Sequence, residues 1–295
     1  LNLRVLSCLI ALFAGCAFVS ATYAQSDNAA TASSKLPSLG ADAPKRPERP
    51  LWEIGLAGIG VKQVAYPGSS YSVNRGLVVP YFIYRGKVVR AEGGGLGLRT
   101  VRKPRYQLDL GFSGSFGSGS NVPARVGMPN IGTLIEAGPV LKIRLGDLSR
   151  PGPWRIDLPL RGVLDVSDSF SYRGLAFEPQ LVYRRWLTPK WRLRVTAGFV
   201  FGDRRLASTF YGVDPQFATA TRSAYRARAG LIATRALTSL SYRITRYLSI
   251  TGFARYDSVA GAANRASPLV QRNGGLTYGL NMSWTVRQSS ERAVK

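Results

Sequence analysis

Between Arg105 and Phe116 the chain alternates: Tyr106, Leu108, Leu110, Phe112 and Phe116 share one parity, while Arg105, Gln107, Asp109, Gly111, Ser113 and Ser115 occupy the other. Successive side chains of a strand point to opposite faces, so such a segment has one greasy side and one wet side. The pattern recurs from Trp154 to Val166, where Trp154, Ile156, Leu158, Leu160, Leu164 and Val166 oppose Arg155, Asp157, Arg161 and Asp165. It recurs again from Lys190 to Gly202 and from Leu276 to Arg287, and the stretches Ile131 to Leu145 and Leu175 to Tyr183 follow it too. A soluble β-sandwich also alternates, but its strands are nearer ~5 residues long, whereas ~10 are needed to cross a bilayer. The expected fold is all-β: an antiparallel transmembrane β-barrel of about 10–12 strands.

The N-terminal end has the layout of a secretory leader over residues 1–24, with Arg4, an apolar run from Val5 to Val19, and the small-x-small site Thr22-Tyr23-Ala24. A competing reading takes Phe13-Ala14-Gly15-Cys16 as a lipoprotein box with Cys16 as the lipidated residue. Residues 25–50 contain Pro37, Pro44, Pro47 and Pro50 without alternation, and read as a flexible periplasmic lead-in. The barrel is expected over 51–287, followed by a polar tail over 288–295.

Both cysteines, Cys8 and Cys16, fall in the leader, and histidine is absent. This removes thiolate chemistry, the commonest general base and the commonest metal ligand. No carboxylate pair is placed by a motif for acid–base work. The expectation is therefore a non-enzymatic protein with no cofactor, metal or catalytic residue. The formal charge is +24, from forty Lys and Arg against sixteen Asp and Glu. A secreted membrane protein does not meet nucleic acid as a standing partner, so lipopolysaccharide phosphates, anionic peptidoglycan or anionic solutes are the expected counter-charges.

Alternation places strands at 51–61, 75–85, 87–102, 105–116, 131–145, 154–166, 171–186, 190–202, 224–244, 247–257 and 275–287. That odd number conflicts with the even count of single-chain bacterial barrels. Apolar parity switches near Thr234 and Arg235, marking a bulge or a turn. A turn there gives twelve strands, and merging strands near Arg85-Gly86-Lys87 gives ten. Tight turns are expected at Arg85-Gly86-Lys87, Lys103-Pro104-Arg105, Leu187 to Lys190 and Thr245-Arg246, with longer loops at 62–74, 117–130, 203–223 and 258–274. Trp52, Trp154, Trp186, Trp191 and Trp284 lie near strand ends, where interfacial aromatic belts form. An arginine on the lipid side costs about 2–4 kcal/mol at the midplane, so Arg155, Arg161, Arg192, Arg194, Arg226 and Arg228 are expected to line the lumen.

Six fragments occur in order along 51–287: Tyr66-Pro67-Gly68-Ser69; Val79-Pro80-Tyr81 through Tyr84-Arg85-Gly86; Ala124 to Pro129; Glu136-Ala137-Gly138-Pro139; Phe210-Tyr211-Gly212-Val213; and Ser267-Pro268-Leu269-Val270. On these the chain resembles the MltA-interacting protein (MipA/OmpV) family of outer-membrane proteins. The family usually carries Asp before the last Ser-Pro, where this chain has Ala266. Thr277, Gly279, Met282 and Trp284 look like the last-strand signal read by barrel-assembly machinery, although the chain continues beyond it to Lys295. The resemblance implies an outer-membrane scaffold linking a lytic transglycosylase to a murein synthase. A pore for small anionic solutes through an arginine-lined lumen is the alternative.

Overall fold

The computed structural model describes residues 50–85, 89–92, 95–98, 101–102, 105–118, 122–146 and 152–291. The expected leader with Cys8 and Cys16, the expected lead-in up to residue 49, the expected turn residues Gly86, Lys87, Lys103 and Pro104, and the last four residues of the expected tail lie outside them. One antiparallel sheet carries the chain: β1 (Trp52–Val64), β2 (Ser72–Arg85), β3 (Val89–Glu92), β4 (Gly95–Leu98), β5 (Val101–Arg102), β6 (Tyr106–Ser115), β7 (Leu134–Arg144), β8 (Trp154–Asp165), β9 (Ser171–Phe177), β10 (Gln180–Trp186), β11 (Trp191–Gly202), β12 (Gly230–Arg243), β13 (Leu248–Ser258) and β14 (Gly274–Gln288). A short helix α1 (Arg204–Tyr211) precedes β12.

Neighbours in sequence are neighbours in the sheet except for β4 and β5, which end the ladder, and for β9 and β10, and β1 also pairs with β14. At the other end of the ladder β4 comes to lie beside β6, so the sheet curls back on itself. β9 and β10 both pair with β8 and β11 and are two halves of one strand position, broken at Glu178-Pro179. Ten full-length positions result among the described residues, with β3, β4 and β5 lying between β2 and β6 in the chain.

Burial follows the alternation with inverted polarity. On β14, Asn281 is 4% exposed between Leu280 at 63% and Met282 at 48%. A water-soluble protein would bury the leucine. Here the apolar side is the outside, as hydrocarbon requires, and the polar side faces the lumen. Two outward aromatic girdles bound this surface. Near the short turns, Trp154 packs on Tyr183 with ring centroids 4.8 Å apart and Trp191 on Tyr242 at 4.5 Å. Near the long loops lie Phe177, Phe199 and Phe201, with Phe177 6.4 Å from Phe201.

The switch of parity inside 224–244 is a bulge, not a turn. Val200 pairs with Ala233 and Phe201 with Leu231, so Ile232 is the extra residue and β12 is a single strand beginning at Gly230. The stretch before it joins no ladder beyond an isolated bridge between Val213 and Tyr225. The turn at 187–190 uses Thr188 Oγ1 to accept from the Trp191 amide at 3.0 Å, and the turn at 244–247 uses Thr245 Oγ1 to accept from Leu248 N at 3.0 Å. The turns 187–190 and 244–247 share one end of the barrel, and the connections 65–71, 116–133, 166–170, 203–229 and 259–273 share the other.

Candidate functional site

The inward faces of the strands meet three environments along the barrel axis. At the long-loop end the inward residues Leu134, Val163, Ala176, Val200, Ile232 and Ala233 form one buried apolar cluster with loop residues. Helix α1 supplies Leu206, Ala207 and Tyr211, and the other loops supply Tyr66, Val122, Ile131, Val213, Ala227, Val259 and Leu269. Asp203 caps the helix, accepting from the Leu206 amide at 2.8 Å. Gly174 on β9 makes room for that cap: its φ is +123°, and a Cβ there would sit 2.2 Å from Asp203 Oδ1.

Polar contacts tie the loops into a cap. Tyr66 donates its hydroxyl to Leu269 O at 2.9 Å, and Ser267 donates to Tyr211 O at 2.8 Å. Arg125 donates to Phe210 O at 3.3 Å and Pro129 O at 3.0 Å, with its Cζ 5.9 Å from the Tyr66 ring centroid. Arg222 reaches Ala124 O at 3.1 Å and Val126 O at 2.9 Å. Burial pushes the Tyr66 and Tyr211 phenols up and the Arg125 guanidinium down from their ordinary values. Four of the six fragments that carry the family resemblance, those at Tyr66, Arg125, Tyr211 and Ser267, converge here.

Midway down, acids and bases alternate across the wall. Arg161 Nη1 lies 3.1 Å from Glu136 Oε2 and 3.2 Å from Glu178 Oε2. Arg235 Nη1 is 3.1 Å from Glu178 Oε1 and its Nε 2.6 Å from Asp257 Oδ1, while Arg255 Nε is 3.0 Å from Asp257 Oδ2. Arg235 stands on β12 and Glu178 at the β9–β10 break, with β11 between them. Gly198 is the residue of β11 in register with Arg235, and having no side chain it leaves the crossing open. A Cβ at Gly198 would itself sit 2.3 Å from Pro179 O. None of this network beyond Arg161 was expected from sequence. Its trace there is Asp257, which shares Arg255's parity on β13.

Towards the short turns the wall turns basic. Lys142 pairs with Asp109, and Arg155 Nη2 donates to Asp157 Oδ2 at 2.7 Å. Around them Arg144 is in register with Arg155, and Arg184 with Arg194. Arg155 is in register with Val182 of β10, so the Arg184–Arg194 pair stands one inward position nearer the turns than the Arg144–Arg155 pair. Of the expected lumen residues, Arg155 and Arg161 are buried on the inward side of β8, and Arg192 and Arg194 share the parity of the buried Thr196 on β11. Arg226 and Arg228 correct the expectation. They precede β12 rather than standing on it and are exposed in the loop, because the alternation of Tyr225, Ala227 and Ala229 belongs to cap packing. Thr277 is buried inward on β14, Gly279 lies against the Gly60 backbone, and Met282 and Trp284 face outward. Trp186 also departs from its expected belt position: it is in register with Arg192, whose guanidinium lies 5.5 Å from its ring centroid, with that of Arg243 at 5.4 Å.

Three solved outer-membrane proteins are among those that the chain resembles in structure. The NanC porin shares 10% identity, covering 78% of this chain and 100% of its own, at a TM-score of 0.37. Outer membrane phospholipase A from Escherichia coli shares 11% over 81% and 94% at 0.34, and an outer membrane channel from Pseudomonas putida F1 shares 12% over 84% and 99% at 0.33. No curated protein matches the chain. The model of the family described as MltA-interacting protein MipA matches residues 54–286, nearly the whole of the barrel, and the chain therefore belongs to that family of outer-membrane proteins.

Proposed function

We propose that this outer-membrane barrel is a non-enzymatic scaffold, anchoring murein-remodelling enzymes to the membrane from its short-turn end. In bacterial barrels short turns are periplasmic and long loops extracellular, which would turn the basic wall, the start of β1 and the end of β14 toward the cell wall. The single observation that carries the reading is the cap. Its apolar cluster occupies the loop-end mouth, where a solute path would need an opening. The family's name speaks of an interaction with MltA, a lytic transglycosylase, and such an enzyme is the first partner proposed here, with a murein synthase as the second. Delivery would follow from cleavage after Ala24, with residues 25–50 as a tether, and Thr277, Gly279, Met282 and Trp284 would serve insertion by the assembly machinery. Lipopolysaccharide would contact the outer rim.

Affinity capture of the tagged chain from detergent-solubilised envelopes tests this: the expected result is co-purification of a lytic transglycosylase, and capture without any murein enzyme counts against the scaffold. The inward arginines of β7, β8, β10 and β11 favour a second reading, a pore for small anions. Planar-bilayer recording separates the two. Steady anion-selective conductance would replace the scaffold by the pore, while a silent bilayer leaves the cap as a closure.

A further inference from the structure

We propose that the loop-end rim of the barrel, where helix α1 meets β9, is a binding site for the phosphorylated headgroup of an outer-leaflet lipid, with Arg204 and Arg205 as its phosphate ligands. The leaflet follows from the orientation proposed above, with long loops outside, and the site itself does not depend on a murein partner. Its height in the membrane is the first observation. Phe177, Phe199 and Phe201 bound the outward apolar surface at this end, and on β9 the exposed Leu175 and Tyr172 continue beyond Phe177 towards the loops. Tyr172 is in register with Leu164, between the inward Val163 and Asp165, so its ring is on the outside of the wall. The guanidinium of Arg205 lies over that ring, 5.4 Å from its centroid. Helix α1 thus reaches across the rim and sets a cation where hydrocarbon gives way to headgroups.

The second observation is what these cations lack. Arg204 and Arg205 are exposed, and among the described residues neither has a carboxylate partner. The acids around them are committed elsewhere: Arg173 lies 3.0 Å from Asp165 and 2.8 Å from Asp168, and Asp203 accepts from the Leu206 amide. A guanidinium stacked on a ring keeps its N–H edge free, and that edge matches two phosphate oxygens at once. The third observation is the surrounding charge. The loops 203–229 and 259–273 also expose Arg226, Arg228, Arg265 and Arg272, and the acids of these two loops are Asp203 and Asp214. Their summed field draws an anion to the rim. A soluble polyanion gains nothing from a cation on the outward side of the wall. A lipid held there lays its tails against Leu175 and the phenylalanine girdle, continuing the surface that hydrocarbon already covers.

Native mass spectrometry of the full chain, refolded in dodecyl maltoside, tests this with two probes: diphosphorylated lipid A and the same lipid with its phosphates removed. A basic residue beside an anionic headgroup is worth roughly fivefold in affinity, so Arg204→Gln and Arg205→Gln should each weaken lipid A by about fivefold and together by about twentyfold. Removing the phosphates should weaken binding by about twentyfold as well. Tyr172→Leu, which takes away the ring that orients Arg205, should cost about threefold, and Lys190→Gln at the opposite end should change nothing. Heat-modifiable gel migration verifies that every variant is a folded barrel. Equal retention of the dephosphorylated lipid, or unaltered lipid A binding by the double variant, would overturn the site. Phe170→Cys, at the exposed tip of the β8–β9 hairpin, reports the leaflet separately, since an impermeant maleimide should label it on intact cells. Labelling without phosphate-dependent binding sinks the site alone, whereas phosphate-dependent binding without labelling sinks the orientation and the leaflet with it.

Discussion

The two ends of this barrel are lined by the same strands and filled by opposite chemistry. At the loop end the inward positions are Leu134, Val163, Ala176, Val200 and Ala233, and long loops fold over them. A few residues away on β7 and β8 the same inward parity carries Lys142, Arg144, Arg155 and Asp157, with short turns at the end. The hydrogen-bond ladder closes the wall but does not decide what occupies the lumen. Where loops are long enough to reach inward, side chains bury one another as in a soluble core. Where turns are too short to reach, the lumen keeps water and charge. The network from Glu136 to Asp257 is the boundary between these regimes.

That boundary is the place to break the contrast with the largest effect. Asp257→Ala deprives both Arg235 and Arg255 of their shared carboxylate, and breaking a buried ion network in this way costs about 3–5 kcal/mol. Urea titration of the refolded barrel should show a loss in that range. Asp257→Asn should cost less, because the amide oxygen still accepts from Arg235. At the loop end, Tyr211→Ala should cost ~3 kcal/mol through the cavity left among Leu206, Val213 and Ile232. Here the readout differs: limited proteolysis should open the loops while heat-modifiable migration, which reports the ladder, persists. A variant that loses both together would show that cap and wall fold as one unit.

A subtler separation uses alkaline pH. Burial raises the Tyr66 and Tyr211 phenols above their unfolded value of about 10. A raised folded pKa contributes stability that is complete below the unfolded pKa and is lost as pH climbs through the folded one. The cap should therefore loosen above about pH 10, seen as proteolytic opening, while strand ladders hold. Tyr66→Phe removes one of these titrations and also the hydrogen bond to Leu269, so it should cost ~1 kcal/mol at neutral pH and flatten part of the alkaline loss.

How much of this was readable beforehand follows from what imposes the pattern. Lipid constrains one residue in two and nothing else constrains those positions, so Tyr106 to Leu110 and Leu276 to Val286 declare their faces openly. The cap was visible only as fragments: the Tyr66 hydroxyl meets a carbonyl 203 residues away, a separation no local pattern encodes. In 224–244 the alternation of Tyr225, Ala227 and Ala229 imitates a strand because Ala227 is buried in the cap, and Arg226 and Arg228 were carried inward with it. Proximity to a strand end marked Trp186 as a belt residue, yet only its register with Arg192 reveals which face it occupies. The central network depends on Gly198, whose role is the side chain it lacks, a property with no sequence signature.

The smallest effect has the opposite sign and sharpens the comparison most. If the turn-end arginines served the fold, removing one would destabilise it, as removing any cap residue does. Arg184 and Arg194 stand directly opposite each other, and relieving such a like-charge pair is worth about 0.5 kcal/mol. Arg194→Gln keeps a hydrogen-bonding side chain of similar reach while discharging one partner, so the barrel should become more stable by about that amount in urea titrations at low salt. The gain should vanish near 1 M salt, where the screening length falls to about 3 Å. A gain that survives salt would assign the change to packing, and a loss of stability would make the pair a structural element like the cap. Stabilisation confined to low salt would instead assign the effect to relief of like-charge repulsion across β10 and β11, so that at the turn end, unlike the cap, charge is tolerated by the wall rather than holding it together.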